Sequence, residues 1–224
     1  MELSFAHRFV FIHVPKTGGE SVVEALRPFS DDPPVPPGGR TPVIRKLYVN
    51  ALYQLRERRY GHITAKELQA AMPGEFFATA FKFAFVRNPW DWHVSTYHYV
   101  VQQPEHEDHA RYVALGSFEA YLEHRAAEGA ALQSDYVLGD DGELLVDFVG
   151  RQEALAGHFA LACERIGIRA SLPHVNRSSH RDFRSYYSPR TRDLVAELCR
   201  RDIEAFGYEF DPQPALAPIE RIPA

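Results

Sequence analysis

Residues 10–21, Val10-Phe11-Ile12-His13-Val14-Pro15-Lys16-Thr17-Gly18-Gly19-Glu20-Ser21, run from an apolar stretch through a Lys/Gly turn into a helical pattern. A short apolar run bounded by turn residues reads as a buried strand. Gly18 and Gly19 let the backbone curl without a Cβ in the way. Successive N–H groups and the positive end of the following helix can then converge on an anion. Lys16 adds a mobile positive charge at the mouth of that cradle. Lys16 precedes its glycines, so the segment is not the longer G-x-x-x-x-G-K-[ST] loop, whose lysine follows them. Taken alone, the turn is also compatible with an ordinary strand-to-helix connection.

A second segment, 81–97, has the same logic. Phe81-Lys82-Phe83-Ala84-Phe85-Val86 reads as a buried strand, Arg87 stands at its C-terminal end, and Pro89 opens a helix, where its missing N–H costs nothing. Ser95 lies about two turns along that helix. An arginine fork with a hydroxyl suits a phosphate better than a lone lysine does. Considered singly, Arg87 reads as a pairing or capping residue and Ser95 as a small helix residue.

Together, Pro15-Lys16-Thr17-Gly18-Gly19 and Arg87-Asn88-Pro89 followed by Ser95-Thr96-Tyr97 resemble the two nucleotide-binding signatures of sulfotransferases that use 3′-phosphoadenosine-5′-phosphosulfate (PAPS). Further segments, 146–153 and 172–179, are similar to the carbohydrate-type members, sulfotransferase family 2, including bacterial ones. The resemblance spans roughly residues 8–210. It implies a P-loop-NTPase-like α/β fold, a single three-layer domain with a central parallel sheet over residues 1–224. It also implies transfer of a sulfuryl group from PAPS to a hydroxyl acceptor, with a carbohydrate as the expected class and 3′-phosphoadenosine-5′-phosphate (PAP) as product. By the same resemblance Lys16, Thr17, Gly18, Gly19 and Ser21 hold the 5′-phosphosulfate, and Arg87 and Ser95 the 3′-phosphate. Arg177 and Ser178 lie in a basic, hydroxyl-rich loop like the one that closes over the 3′-phosphate in that family. Two positions depart from the pattern: Trp92 stands where a second arginine is common, and Glu20 where some relatives have threonine.

The catalytic candidates are Lys16 and His62. His62 lies in Tyr60-Gly61-His62-Ile63-Thr64, similar to the Gly-His segment of carbohydrate 2-O-sulfotransferases, and a histidine titrates close enough to neutrality to take a hydroxyl proton. Lys16 is placed to stabilise charge on the departing phosphate oxygen. Two other readings stay open: a nucleotide-dependent kinase using the same cradle, and a catalytically degenerate PAP-binding protein. No metal is expected. His106-Glu107-Asp108-His109 is not H-E-x-x-H and reads as a polar loop, and no G-x-S-x-G elbow is present.

With 224 residues, 45% of them hydrophobic, the chain can bury one substantial core. A formal net charge of −5 leaves no basic stripe for nucleic acid, so an anion site has to be local. Cys163 and Cys199 fall in helical patterns and read as reduced thiols. The N-terminus lacks the basic region and apolar run of a signal peptide, and no run is long enough to cross a bilayer. A cytoplasmic protein is the expectation.

The remaining pattern predicts a strand at 8–14, a helix at 19–27, a Pro-rich loop over 28–42 and a helix at 44–57. A capping box, Thr64 with Glu67, starts a helix that stops before Pro73. A strand at 76–86, helices at 89–102, 117–128 and 151–166, and a strand near 144–149 follow. Ser188-Pro189 opens a last helix running to Phe206. Trp90 and Trp92 read as core residues.

Overall fold

A computed structural model of the chain describes residues 1–30, 62–129, 131–173, 181–211 and 216–221. In chain order the elements are β1 (Glu2–Ser4), β2 (Phe9–Ile12), α1 (Gly19–Leu26), α2 (Ala65–Ala71), α3 (Gly74–Thr79), β3 (Phe81–Val86), α4 (Pro89–Gln102), α5 (His109–Leu115), α6 (Phe118–Glu128), β4 (Phe148–Arg151), α7 (Leu155–Ile166), α8 (Pro189–Leu198), α9 (Arg200–Phe206) and β5 (Ile219–Glu220). They fall into two compact units. The first comprises 1–86, 135–175 and 216–224, and the second 87–134 and 176–215.

The first unit holds a five-stranded sheet in the order β1-β2-β3-β4-β5. Its three central strands run parallel, with Phe11 opposite Phe83 and Phe83 opposite Phe148. The short edge strands β1 and β5 are antiparallel to their neighbours. Strand periodicity sends Phe9, Phe11, Phe83, Phe85 and Phe148 to one face, where α1 supplies Val22, Ala25 and Leu26 and α7 supplies Phe159, Ala162 and Cys163. Each fully buried phenylalanine contributes about 1.5–3 kcal/mol. On the opposite face Val10, Ile12, Ala84 and Val149 are buried. Lys82, on that same face, lies over the ring of Phe77 in α3 and pairs with Asp147 at 2.8 Å. Both faces of the sheet are therefore covered, as central parallel strands require.

The second unit is helical. Trp90 and Val100 of α4, Tyr112 of α5, Tyr121 and Leu122 of α6, and Val195 and Cys199 form its core. The Trp90 indole N–H donates to the Arg192 carbonyl at 3.0 Å, and the Tyr187 hydroxyl donates to the Trp90 carbonyl at 2.8 Å. Trp92 is buried as well.

Several local expectations hold. The capping box at Thr64 and Glu67 is present and Ser188 caps α8. Others need correction. The expected strand over 76–86 begins only at Phe81, because Pro73 and Glu75 start helix α3 and turn Phe76 and Phe77 inward. An apolar run does not distinguish a buried helix from a buried strand. The strand expected near 144–149 is β4, displaced to Phe148–Arg151, and a 3-10 turn at Gln152–Ala154 delays the following helix. The polar stretch before Gly116 contains α5. The last helix is broken at Cys199, where φ −102° and ψ 23° leave the helical region. Of the Pro-rich loop only its start is described, a 3-10 turn at Arg27–Phe29. The helix expected at 44–57 and the residues Arg177 and Ser178 lie outside the described residues.

Candidate active site

In the first unit the chain leaves β2 at Ile12, crosses the Lys/Gly turn and enters α1 at Gly19. Lys16 sits at φ 63° and Gly18 at φ 80°, both in the left-handed region. A lysine there carries strain of about 1–3 kcal/mol, which the surrounding turn has to hold. Part of that hold is visible: Thr17 is fully buried and its hydroxyl donates to the Val14 carbonyl at 2.9 Å. Gly18 is the N-cap of α1 and brings no side chain to the first-turn amides. A Cβ on Gly18 would stand 2.7 Å from a Leu155 methyl, and one on Gly19 would overlap the His13 ring. Gly18 and Gly19 are thus close-packed against Leu155 and His13, with Lys16 half-buried beside them and Ser21 buried in the first turn of the helix. Backbone amides at a helix start, a local positive charge and close-packed glycines fit a phosphate-type anion. Glu20, the second residue of α1, is exposed, and its charge favours the protonated form of His62.

His62 lies in the same unit. Its Nδ1 is 2.9 Å from the His13 carbonyl oxygen, and the two imidazole rings are 4.5 Å apart. A carbonyl only accepts, so Nδ1 carries the hydrogen and donates it. Neutral His62 therefore presents the lone pair of Nε2. Burial lowers the His62 pKa below its ordinary value, a pull partly opposed by the bond to the His13 carbonyl. His13 is pushed well below its ordinary value, first by burial and then by the charges that His62, the α-amino group and Lys16 would place beside it. Near neutral pH both rings are neutral, and His62 is in the form a general base needs.

Arg87 and Ser95 belong to the second unit. The Arg87 guanidinium is buried, and its Nε donates to the Asp91 carboxylate at 2.7 Å. Its main chain is gripped from both sides. The Arg87 N–H donates to Gln133 Oε1 at 2.8 Å and Gln133 Nε2 donates to the Arg87 carbonyl at 2.8 Å. The amides of Gln133 and Ser134 in turn donate to the buried Asp202 carboxylate at 2.9 and 2.8 Å. Asn88 caps α4 by accepting from the Trp90 amide, and its Nδ2 donates to the Glu209 carbonyl at 2.8 Å. Ser95 is buried on α4, one turn beyond Asp91 on the same helix face. An arginine whose plane is set by a carboxylate and whose backbone is bracketed is preorganised for a bidentate anion.

The structure brings Lys16, Thr17, Gly18, Gly19, Ser21 and His62 into one unit, and Arg87 and Ser95 into the other. Sequence reasoning missed His13, Asp91, Gln133 and Asp202. His13 was legible as a histidine three residues before Lys16, whereas the Gln133 bracket spans 46 residues and leaves no local signal. Among the described residues no group of three or more His, Cys, Asp or Glu is arranged to hold a metal ion. The His106 and His109 side chains are used locally: His106 Nδ1 accepts from the Asp108 amide at 3.1 Å, and His109 Nδ1 donates to the Val100 carbonyl at 3.0 Å. Among the described residues no helix is long and apolar enough to cross a membrane.

A family model described as "Sulfotransferase family" matches residues 3–209. No curated protein matches the chain. Among solved structures, a mouse protein described as sulfotransferase SULT7A1 complexed with PAP is similar at 17% identity and a TM-score of 0.46, over 87% of this chain and 84% of that one.

Proposed function

The chain belongs to the sulfotransferase family, and from that premise we propose that it transfers a sulfuryl group from PAPS to a hydroxyl acceptor of carbohydrate type. The observation that carries this reading is the joint placement, in one compact unit, of an anion cradle at Lys16–Gly19 and a neutral histidine whose Nε2 lone pair is set by the His13 carbonyl. PAPS supplies the activated sulfuryl group. Lys16 and the first-turn amides of α1, with Ser21, bind the 5′ end. Thr17 acts by locking the turn. Arg87 and Ser95 bind the 3′-phosphate, joined by Arg177 and Ser178.

His62 Nε2 accepts the acceptor hydroxyl's proton as the new O–S bond forms and the S–O bond to phosphate breaks. Lys16 stabilises the negative charge that moves onto the phosphate oxygen, so PAP leaves as an anion. Like phosphoryl transfer, such a step depends mainly on position and charge. Trp92 is spent in packing, 5.1 Å from the His93 ring, so the grip on the 3′-phosphate rests on Arg87 without a second cation at that position.

Calorimetric titration with PAP and with adenosine triphosphate, on the unaltered protein and on Arg87→Ala, tests the proposal. Selective binding of PAP that collapses in Arg87→Ala is the expected result. Preference for adenosine triphosphate with magnesium would support a kinase instead, and tight PAP binding without turnover on any hydroxyl acceptor would support a binding protein.

A further inference from the structure

His13 stands between β2 and the Lys/Gly turn and reaches both the proposed base and the start of α1. Its carbonyl accepts the Nδ1 hydrogen of His62 at 2.9 Å. Its ring lies 4.5 Å from the His62 ring, tilted by 55°, and is backed by Phe11 at 5.9 Å. The Cδ2–Nε2 edge of the same ring presses on Gly19, where it occupies the space an added Cβ would need. One residue thus touches the base with its main chain and side chain, and the first residue of α1 with its ring.

We propose that His13 is a positioning residue for sulfuryl transfer: its ring is the wedge that holds His62 at a set distance from the first turn of α1. The inference rests on the reading of His62 as the base. Removing the ring leaves the His13 carbonyl in place, so the His62 tautomer survives. What is lost is the orientation of the imidazole relative to the anion cradle.

The wedge also has an electrostatic side. The charged or titratable groups that act on the pair are Lys16, Glu20 and the α-amino group. Burial disfavours the charged form of each ring, and a proton on one histidine opposes a proton on the other. His13 is lowered further than His62, so His62 takes up its proton while His13 is still neutral; truncating His13 acts by admitting water, and the His62 pKa rises toward its ordinary value.

The test uses the full chain with His13→Ala and His13→Gln, the second keeping a planar side chain of similar reach. Three quantities are read: PAP affinity by calorimetry, the rate of PAP release from PAPS with water as acceptor, and the His62 titration followed by the NMR signal of its ring. The last needs no acceptor. The expected result for His13→Ala is PAP affinity within about threefold, a rate lowered by about tenfold or more, and an upward shift of the His62 titration, with the rate partly restored in His13→Gln. An unshifted His62 titration with an unchanged rate in folded His13→Ala overturns the proposal. If His62→Ala keeps the full rate, the base assignment fails by itself. A shifted His62 titration in His13→Ala would still support the His13 contact, and an unshifted one would overturn it.

Discussion

The two units build their proposed anion-binding elements in opposite ways. In the first, the cradle is made of backbone: Lys16 at φ 63° and Gly18 at φ 80° bend the chain, and the Thr17 hydroxyl locks the bend through the Val14 carbonyl. In the second, Arg87 is a buried side chain held by Asp91, with its main chain bracketed by Gln133 and, behind it, Asp202. A backbone cradle is sensitive to added volume, down to a single methyl group on Gly18 or Gly19. A braced side chain is sensitive to loss of any partner, because each partner removed leaves another polar group buried and unsatisfied.

The largest expected effect is on the braced side. Arg87→Ala takes the guanidinium away from the Asp91 carboxylate, itself largely buried. Loss of a buried pair costs about 3–5 kcal/mol. Chemical denaturation should show that loss together with weakened PAP binding. Arg87→Lys, which keeps the charge but not the fork, should recover stability more than affinity.

Gly19→Ala attacks the cradle by volume, since the new Cβ would overlap the His13 ring. Overpacking of this kind costs about 1–3 kcal/mol. The variant should lose PAP affinity and rate together, whereas a cradle tolerant of the methyl group would break the contrast between the units.

Acid titration of stability should separate the units by their histidines. His93 is fully buried in the second unit, with Nδ1 3.1 Å from the Tyr121 hydroxyl and Nε2 3.4 Å from Cys199 Sγ. Burial lowers its pKa to about 3. A depressed histidine pKa means the unfolded chain binds the proton first. Its contribution is therefore complete above the unfolded value of about 6.5 and is lost as pH falls from there toward 3. His62 is lowered in the same direction, so the acid limb of the rate should lie below about 6.5. In the His93→Gln variant the stability slope should flatten while the acid limb of the rate stays where it was.

Lys16→Gly is the smallest and sharpest case. Glycine adopts φ 63° freely, so the variant should gain about 1 kcal/mol of stability while the rate falls. Equal stability in the two proteins would mean that the turn is not strained at Lys16.

What could be read from sequence was whatever is written locally. The Lys/Gly turn, the Thr64 capping box and the Pro89 and Ser188 helix starts each need only a few neighbouring residues, and each is present. The two-residue strand β5 and the three-residue strand β1 exist only because β4 and β2 offer them edges, so neither leaves a periodic trace. Phe76 and Phe77 read as strand and fold as helix, because burial on a helix and burial in a sheet use the same residue types. The same division runs through the site. Lys16, Gly18 and Arg87 stand out in sequence, but the role of Asp91 depends on one helical turn of geometry, and those of Gln133 and Asp202 on contacts made 46 and 69 residues away.

The division of labour between the units is tested most directly by titrating the unaltered protein, Lys16→Ala and Arg87→Ala with PAP and with adenosine 5′-phosphate, which lacks the 3′-phosphate. The account predicts that the unaltered protein and Lys16→Ala both prefer PAP and that Arg87→Ala binds the two ligands alike. An Arg87→Ala protein that still prefers PAP as strongly as the unaltered one would contradict it.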